Sequence, residues 1–166
     1  MGDAVDALVA QWRRERPDLD VWPMEVIGRI SRLSRLLERR LKDVFARYGL
    51  EQHEFDVLAT LRRAGPPYEL TAGGLLKAAM VTSGAITNRI DRLEAKNLVE
   101  RVRDSDDRRC VRIRLTDRGR ELVDEILPVH LANETGLLSV LSPDDRDHLI
   151  GVLRTLLESL GDTFSE

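Results

Sequence analysis

The spacing of apolar residues changes from helical to strand-like between Leu70 and Arg120. A short helix is predicted to follow Thr71, because a threonine hydroxyl can accept hydrogen bonds from the first N–H groups of a helix. After a tight turn, a second helix is predicted from about Ser83 to Lys96. Its apolar residues form one stripe, which must pack, and its polar residues form another, which is free to contact a partner.

The residues after this second helix alternate with the two-residue period of strands. Asn97 is suited to end the helix in a left-handed conformation. Two strands are then predicted over Leu98–Val102 and Val111–Leu115, joined by an arginine-rich turn at residues 104–109. Two helices separated by a tight turn and followed by a charged hairpin predict a winged helix-turn-helix.

This arrangement makes double-stranded DNA the leading candidate partner. A helix fits the width of the major groove, where the base edges differ in their donors and acceptors. The side chains of the second helix that can make such contacts are Ser83, Thr87, Asn88 and Arg92. The hairpin arginines that can hold phosphate or enter a minor groove are Arg108, Arg109, Arg112 and Arg114. The alternative is that the polar face of the second helix and the charged hairpin are only solvated surfaces without a partner.

The second helix and the hairpin resemble those of the MarR family of transcription regulators. The similarity is carried by ITNRIDRLEAKNLVERVRDSDDRRCVRIRLTDRGREL, and it extends over most of the chain. The resemblance implies that these residues form the recognition helix, the wing and the following helix. It also implies that an aspartate at the wing tip orients an arginine into the minor groove. Asp107 and Arg109 match that pair.

The overall charge does not itself indicate nucleic-acid binding. The 166 residues include 26 basic and 29 acidic side chains, and the formal net charge of −3 excludes a strongly basic protein. Affinity for DNA must then come from local clusters of arginine. The single cysteine, Cys110, excludes an internal disulfide, and no apolar run is long enough to span a membrane. We therefore expect a cytoplasmic protein with no membrane partner.

Long amphipathic helices are predicted at both ends of the chain. Apolar residues recur at three- and four-residue steps over Pro23–Tyr48, and Ser142 can cap a last helix with a broad leucine-rich face. This apolar surface exceeds the needs of a small winged-helix core. The resemblance implies that the surplus is buried in a homodimer, which would bind an inverted repeat on DNA. The alternative is that these faces pack within one chain.

The predicted fold class is therefore mostly α with a small β-hairpin wing. It is a winged helix-turn-helix with amino- and carboxyl-terminal dimerisation helices and an extra amino-terminal helix. Residues 1–166 are expected to form a single domain. Residues 1–48 and 117–166 would provide mainly the dimerisation helices, and residues 50–116 the DNA-binding region.

Four further residues suggest a ligand site. They are Trp12 on the extra amino-terminal helix, Asp56 among apolar positions, Arg89 on the second helix and Arg101 on the first wing strand. Arg89 occupies the edge of the packed stripe, so its guanidinium is expected to point inwards and to need an anionic partner or a polar pocket. Asp56 is a candidate partner. The alternative is a structural salt bridge or a brace between helix and wing.

These four residues also resemble the site of the urate-responsive PecS/HucR subgroup of the MarR family. In that subgroup a tryptophan of an extra amino-terminal helix, an aspartate and two arginines bind or sense urate. They match Trp12, Asp56, Arg89 and Arg101. The resemblance implies a repressor that urate or a related purine anion releases from DNA, through negative coupling between two sites. A phenolic or small organic acid is the alternative effector, and no cofactor is expected.

Two other function classes are less consistent with the sequence. An enzyme is not expected, because the three histidines lie on separate predicted helices and outside any nucleophile or metal motif. They are His53, His130 and His148. One cysteine and no paired-histidine motif also disfavour a zinc site. A winged-helix module that docks on protein rather than DNA is the second alternative.

Overall fold

The computed structural model describes residues 2–78, 83–103 and 111–163. Within these ranges the chain forms seven α-helices and three short β-strands. In chain order they are α1 (Ala4–Glu15), α2 (Trp22–Ala46), α3 (Gln52–Arg63), β1 (Glu69–Thr71), α4 (Ala72–Ala78), α5 (Ser83–Ala95), β2 (Val99–Arg103), β3 (Val111–Leu115), α6 (Asp117–Leu137) and α7 (Pro143–Ser159). The predicted mostly α fold with a small wing and an extra amino-terminal helix is confirmed.

Local signals located most helix ends correctly. The long helix predicted over Pro23–Tyr48 is α2, and the helix predicted from Ser83 to Lys96 is α5. Asn97 has a φ of 56°, as predicted for a left-handed stop after α5. The Ser142 hydroxyl accepts the backbone N–H of Asp145 at 3.1 Å, which caps α7 as predicted.

The wing is a three-stranded antiparallel sheet in the order β1-β3-β2. Ile113, at the centre of β3, lies opposite Leu70 of β1 and Arg101 of β2. The sequence predicted β2 and β3 but not β1. The three residues Glu69–Thr71 are too few to show an alternating pattern, and they form a strand because β3 offers a free edge.

One main hydrophobic core joins α2 to α6 and the sheet. Within it, the rings of Phe45 and Phe55 stack with centroids 4.7 Å apart. The candidate recognition helix, α5, contributes Ile86, Ile90 and Leu93 to this core, and each is no more than 2% exposed. The predicted apolar stripe of α5 is thus confirmed. Burial of each such side chain contributes roughly 1.5–3 kcal/mol. This packing fixes the rotation of α5 about its axis and directs its opposite face to solvent.

A second, smaller core attaches α1 to α2. It consists of Val5, Val9 and Val21. Gly28 of α2 permits this close approach, because a Cβ there would lie 3.1 Å from a methyl group of Val5. Arg29 of α2 also forms ion pairs with Asp3 and Asp6. These contacts confirm the predicted extra helix and explain how it is held.

Apolar side chains of α2 and α7 lie exposed at the surface of the chain. The predicted stripe of α2 divides into two parts: Val44 is buried in the main core, whereas Ile27 is 61% exposed. The exposed apolar residues of α7 are Leu149, Ile150, Val152, Leu153 and Leu157, and α7 contains no buried residue. An exposed apolar face on a helix is typical of an interaction site.

Contacts divide the chain into two compact units, Met1–Leu127 and Pro128–Glu166. The division falls inside α6, at a proline that has no backbone N–H to donate. A single domain over residues 1–166 stays a prediction. Across the described ranges, every helix is too short or too polar to cross a bilayer.

Candidate nucleic-acid interface

The polar face of α5 is open to solvent. Thr87, Asn88 and Arg92 are exposed, on the side of the helix away from its buried stripe. Asn88 and Arg92 are four residues apart and therefore share one helix face. Ser83 begins α5, but its side chain lies outside the described residues. Three of the four predicted contact residues on α5 are thus placed together on an accessible surface.

The first helix of the predicted helix-turn-helix is fixed at both ends. At its start, the Thr71 hydroxyl accepts the N–H of Gly74 at 3.0 Å, which confirms the predicted cap of α4. At its end, the Arg63 guanidinium donates to the carbonyl of Ala78 at 3.1 Å and to the buried hydroxyl of Thr60 at 3.0 Å. Sequence reasoning missed Arg63, because nothing in the local sequence shows a contact that forms fifteen residues away.

A buried carboxylate joins α3 to the end of α5. Glu54 has no exposed side-chain surface, and its Oε2 accepts from Lys96 Nζ at 2.7 Å and from the N–H of Glu51 at 2.8 Å. Its Oε1 lies 3.2 Å from Arg92 Nε. Lys96 Nζ also donates to the carbonyl of Gly49 at 2.9 Å. Glu54 was not among the predicted site residues, because its only local signal is its position in the first turn of α3.

The Glu54 carboxylate is held in its charged form. Burial by itself would raise the pKa of Glu54. The hydrogen bonds from Lys96 and from the Glu51 N–H, together with the charges of Lys96 and Arg92, outweigh burial and lower the pKa below its usual range. The contact between α3 and α5 is therefore ionic at neutral pH.

Arg101 braces the wing against α5. Its guanidinium forms ion pairs with Asp91 and Glu94 of α5, and the hydrogen bond that it donates to Asp91 raises the pKa of Arg101. A brace between helix and wing was the alternative predicted for Arg89, and the structure shows such a brace at Arg101. A ligand that bound Arg101 would have to compete with two carboxylates.

The other predicted ligand residues occupy different environments. Arg89 is partly buried, and its Nη1 is buried without a hydrogen-bond partner among the described residues. A pair with Asp56 is therefore not made through Nη1, and this pair stays a prediction. Asp56 itself is exposed on α3, and Trp12 is 44% exposed on α1. Arg89 is the one of the four whose buried donor lacks an acceptor in the described part of the chain.

The predicted wing tip lies outside the described residues. It comprises residues 104–109, including Asp107, Arg108 and Arg109, and the adjacent Cys110 also lies outside the described residues. The two remaining hairpin arginines lie on β3 and have acidic neighbours in the sheet. Arg114 pairs with Glu100 at 2.8 Å, and Arg112 lies 3.8 Å from Glu69. A DNA phosphate that bound either arginine would therefore compete with a carboxylate for its guanidinium.

Comparison with known proteins assigns the chain to a family. The sequence profile of the MarR family matches residues 50–111, which span α3 to the start of β3. The HTH-type transcriptional regulator PecS of Dickeya dadantii (strain 3937) is 45% identical over 149 residues, covering 90% of this chain and 90% of PecS. The chain belongs to the MarR family. Its curated relatives are transcription regulators rather than enzymes, so the protein is a MarR-family transcription regulator.

Solved MarR-family structures share the fold. A MarR variant from E. coli, solved with operator DNA, is 26% identical with a TM-score of 0.72, covering 84% of this chain and 99% of the other. BpsR of Bordetella bronchiseptica, whose DNA binding is regulated by 6-hydroxynicotinic acid, is 26% identical with a TM-score of 0.69, covering 78% and 91%. The winged helix-turn-helix predicted for this MarR-family chain is thus confirmed.

Proposed function

We propose that this MarR-family protein represses transcription by binding an inverted-repeat DNA site as a homodimer, and that urate or a related purine anion releases it. The proposed DNA contacts are Ser83, Thr87, Asn88, Arg92, Asp107, Arg108 and Arg109. The proposed effector contacts are Trp12, Asp56, Arg89 and Arg101. The observation that carries the proposal is the exposed polar face of α5, which is presented by a helix whose other face is locked in the core.

Base recognition by α5 is supported by the chemistry of its exposed side chains. The asparagine amide can bond in bidentate fashion to adenine, and the arginine guanidinium to guanine. Asn88 and Arg92 lie on one face of α5, so both can enter the same groove. The likeness to a MarR structure with operator DNA supports the same use of the helix. A formal net charge of −3 leaves little general attraction for phosphate, which favours a role in specific binding.

Dimerisation is supported by the exposed apolar surface of two helices. Leu33 on α2 is 52% exposed, and Val152 on α7 is 51% exposed. Water contact with so much leucine, isoleucine and valine is unfavourable, so a second copy of the chain gains free energy by covering it. A two-fold dimer would present two copies of α5 to successive major grooves, which is the reason to expect an inverted repeat.

Effector binding is supported by Arg89, whose buried Nη1 has no acceptor among the residues that the structure describes. A buried N–H without an acceptor costs about 1–3 kcal/mol, and an anionic oxygen placed against it would remove that penalty. Urate at neutral pH is a flat anion with several carbonyl oxygens, and an indole such as that of Trp12 can pack on its face. The resemblance of Trp12, Asp56, Arg89 and Arg101 to the site of the urate-responsive subgroup favours urate. The likeness to BpsR, which responds to 6-hydroxynicotinic acid, makes a small aromatic acid the second candidate.

The first experiment tests DNA recognition. Selection of duplexes from a random library by the purified protein should yield an inverted repeat with half-sites about one helical turn apart. Asn88→Ala should then reduce discrimination at one base pair of each half-site by about tenfold, because a bidentate contact is lost. Arg109→Ala should instead weaken binding to every sequence alike. Failure to enrich any duplex would refute DNA binding, and identical profiles for the two variants would refute the assignment of their roles.

The second experiment tests the effector. Calorimetry should detect binding of urate, and urate should release the selected duplex in an anisotropy assay. Arg89→Ala should weaken urate binding by about tenfold or more, because a charge-assisted hydrogen bond is lost. Arg39→Ala, which removes an exposed arginine of α2, is the matched control and should bind urate normally. Binding of 6-hydroxynicotinic acid without binding of urate would transfer the proposal to small aromatic acids.

A further inference from the structure

We propose that the buried Glu54 positions the guanidinium of Arg92 for base recognition, so that Glu54 controls DNA specificity without touching DNA. This inference rests on the proposed function and deepens it. Glu54 belongs to α3, outside the face that would meet DNA, and its side chain has no exposed surface. Arg92 belongs to the exposed face of α5, and half of its side-chain surface is open to solvent.

The two oxygens of the Glu54 carboxylate have different partners. Oε2 accepts hydrogen bonds from Lys96 and from the Glu51 backbone, which are sufficient to hold the side chain in place. Oε1 is buried without a hydrogen bond from the described residues, and Arg92 Nε is 3.2 Å from it. Lys96 alone already neutralises the carboxylate. Arg92 is therefore not needed to balance the charge of Glu54. The main consequence of the contact is that Glu54 restricts the position of Arg92.

The point of contact on Arg92 is its Nε. A guanidinium has five N–H groups in a rigid planar fork, one on Nε and four on the two terminal nitrogens. An ion pair at Nε restricts where the guanidinium lies while leaving the terminal nitrogens for another acceptor. Those terminal groups are the ones that bind guanine or phosphate in bidentate fashion. Holding Arg92 in this way before DNA arrives reduces the side-chain entropy lost on binding.

The contact with Glu54 also sets the position of the Arg92 guanidinium relative to the other polar side chains of α5. Asn88, Arg92 and Lys96 follow one another at four-residue steps, with the first two on α5 and Lys96 directly after its last residue. Two of the three are tied to a single carboxylate of α3. Glu54 thus fixes Arg92 relative to Asn88, and recognition of neighbouring bases depends on that spacing. A purely structural brace between α3 and α5 would have no such selective effect.

A double-mutant cycle tests the inference on the duplex selected by the wild-type protein and on its single-base-pair variants. Arg92→Ala should reduce discrimination at one base pair of each half-site by about tenfold. Glu54→Gln, which keeps the size of the side chain, should reduce discrimination at that same base pair by a similar factor. In the Arg92→Ala background, Glu54→Gln should change that discrimination no further. Asp124→Asn is the matched control, because it removes a carboxylate that pairs with Arg62 at 2.8 Å and should leave the profile unchanged.

A second measurement uses the wild-type protein and does not depend on the folding of a Glu54 variant. The Nε–H resonance of Arg92, assigned by its disappearance in Arg92→Lys, should be resolved from those of solvated arginines in the free protein and should have a higher order parameter than theirs. Averaging of this resonance with those of solvated arginines would overturn the inference.

Each outcome of the cycle has a distinct meaning. If Glu54→Gln weakened binding equally at all base pairs, and if its effect were additive with that of Arg92→Ala, Glu54 would be only a structural brace and the inference would be wrong. An unchanged profile for Arg92→Ala would overturn the inference while leaving DNA binding intact. Failure of the wild-type protein to select any duplex would instead refute the proposed function.

Discussion

Gly119→Ala should lower the free energy of unfolding by about 3 kcal/mol, a large share of the stability of a small domain. Gly119 is buried at the start of α6, and a Cβ there would lie 2.0 Å from the backbone carbonyl oxygen of Leu98. The obstacle is backbone rather than a flexible side chain, so α6 or the residues before β2 must move. The same carbonyl accepts the N–H of Thr116 at 3.2 Å, and that bond would be strained as well.

Chemical denaturation followed by circular dichroism measures this effect. Gly136→Ala is the matched control, because it makes the same substitution in the same helix at a position with nothing within 4 Å of the new methyl group. Alanine is the better helix former, so Gly136→Ala should raise stability by roughly 0.5 kcal/mol. Equal stability of the Gly119 variant and the wild-type protein would contradict the observed packing of α6 on Leu98.

Leu153→Glu should convert the proposed dimer into monomers and remove most of its affinity for DNA. Leu153 belongs to the apolar face of α7 and is 39% exposed in the single chain. Burying an unpaired carboxylate costs several kcal/mol, so the dissociation constant of the dimer should rise about 100-fold or more. Each monomer would then offer one recognition helix to an inverted repeat, and the gain from binding two linked half-sites would be lost.

Sedimentation velocity and anisotropy with the selected duplex measure the two consequences. Thr155→Glu adds the same charge to the other side of α7, where the chain is also exposed, and should keep both the dimer and DNA binding. Dissociation by both variants would show that charge on α7 matters rather than its apolar face. A wild-type protein that binds tightly as a monomer would contradict the dimer itself.

The elements could be predicted because their causes are local. The stripe of Ile86, Ile90 and Leu93 has helical period, and α5 buries all three. Asn97 adopts the left-handed conformation that its residue type favours after a helix. By contrast, β1 was missed, because its three residues become a strand only by pairing with β3. Local preference is too weak to decide so short a segment.

The residues of the candidate site could be predicted from the sequence, but their ion-pair partners could not. Thr87, Asn88 and Arg92 could be assigned to the open face of α5 by helical period alone. The partner of Arg92 could not, because Glu54 precedes it by a long stretch of chain and no local pattern joins them. Arg101 was predicted as a ligand residue from resemblance, and the structure pairs it with Asp91 and Glu94.

The sequence by itself determined the order of the helices and wing strands, the face of α5 that packs and the face that is open. Periodicity and capping residues suffice for this, because they act over a few neighbouring residues. Only the tertiary structure decided that Glu54 holds Arg92 and Lys96, that Arg101 braces the wing, and that a donor of Arg89 is buried without an acceptor in the described chain. Pairing between charged side chains depends on distances of a few ångströms between elements far apart in sequence, and those distances are set by how the core packs.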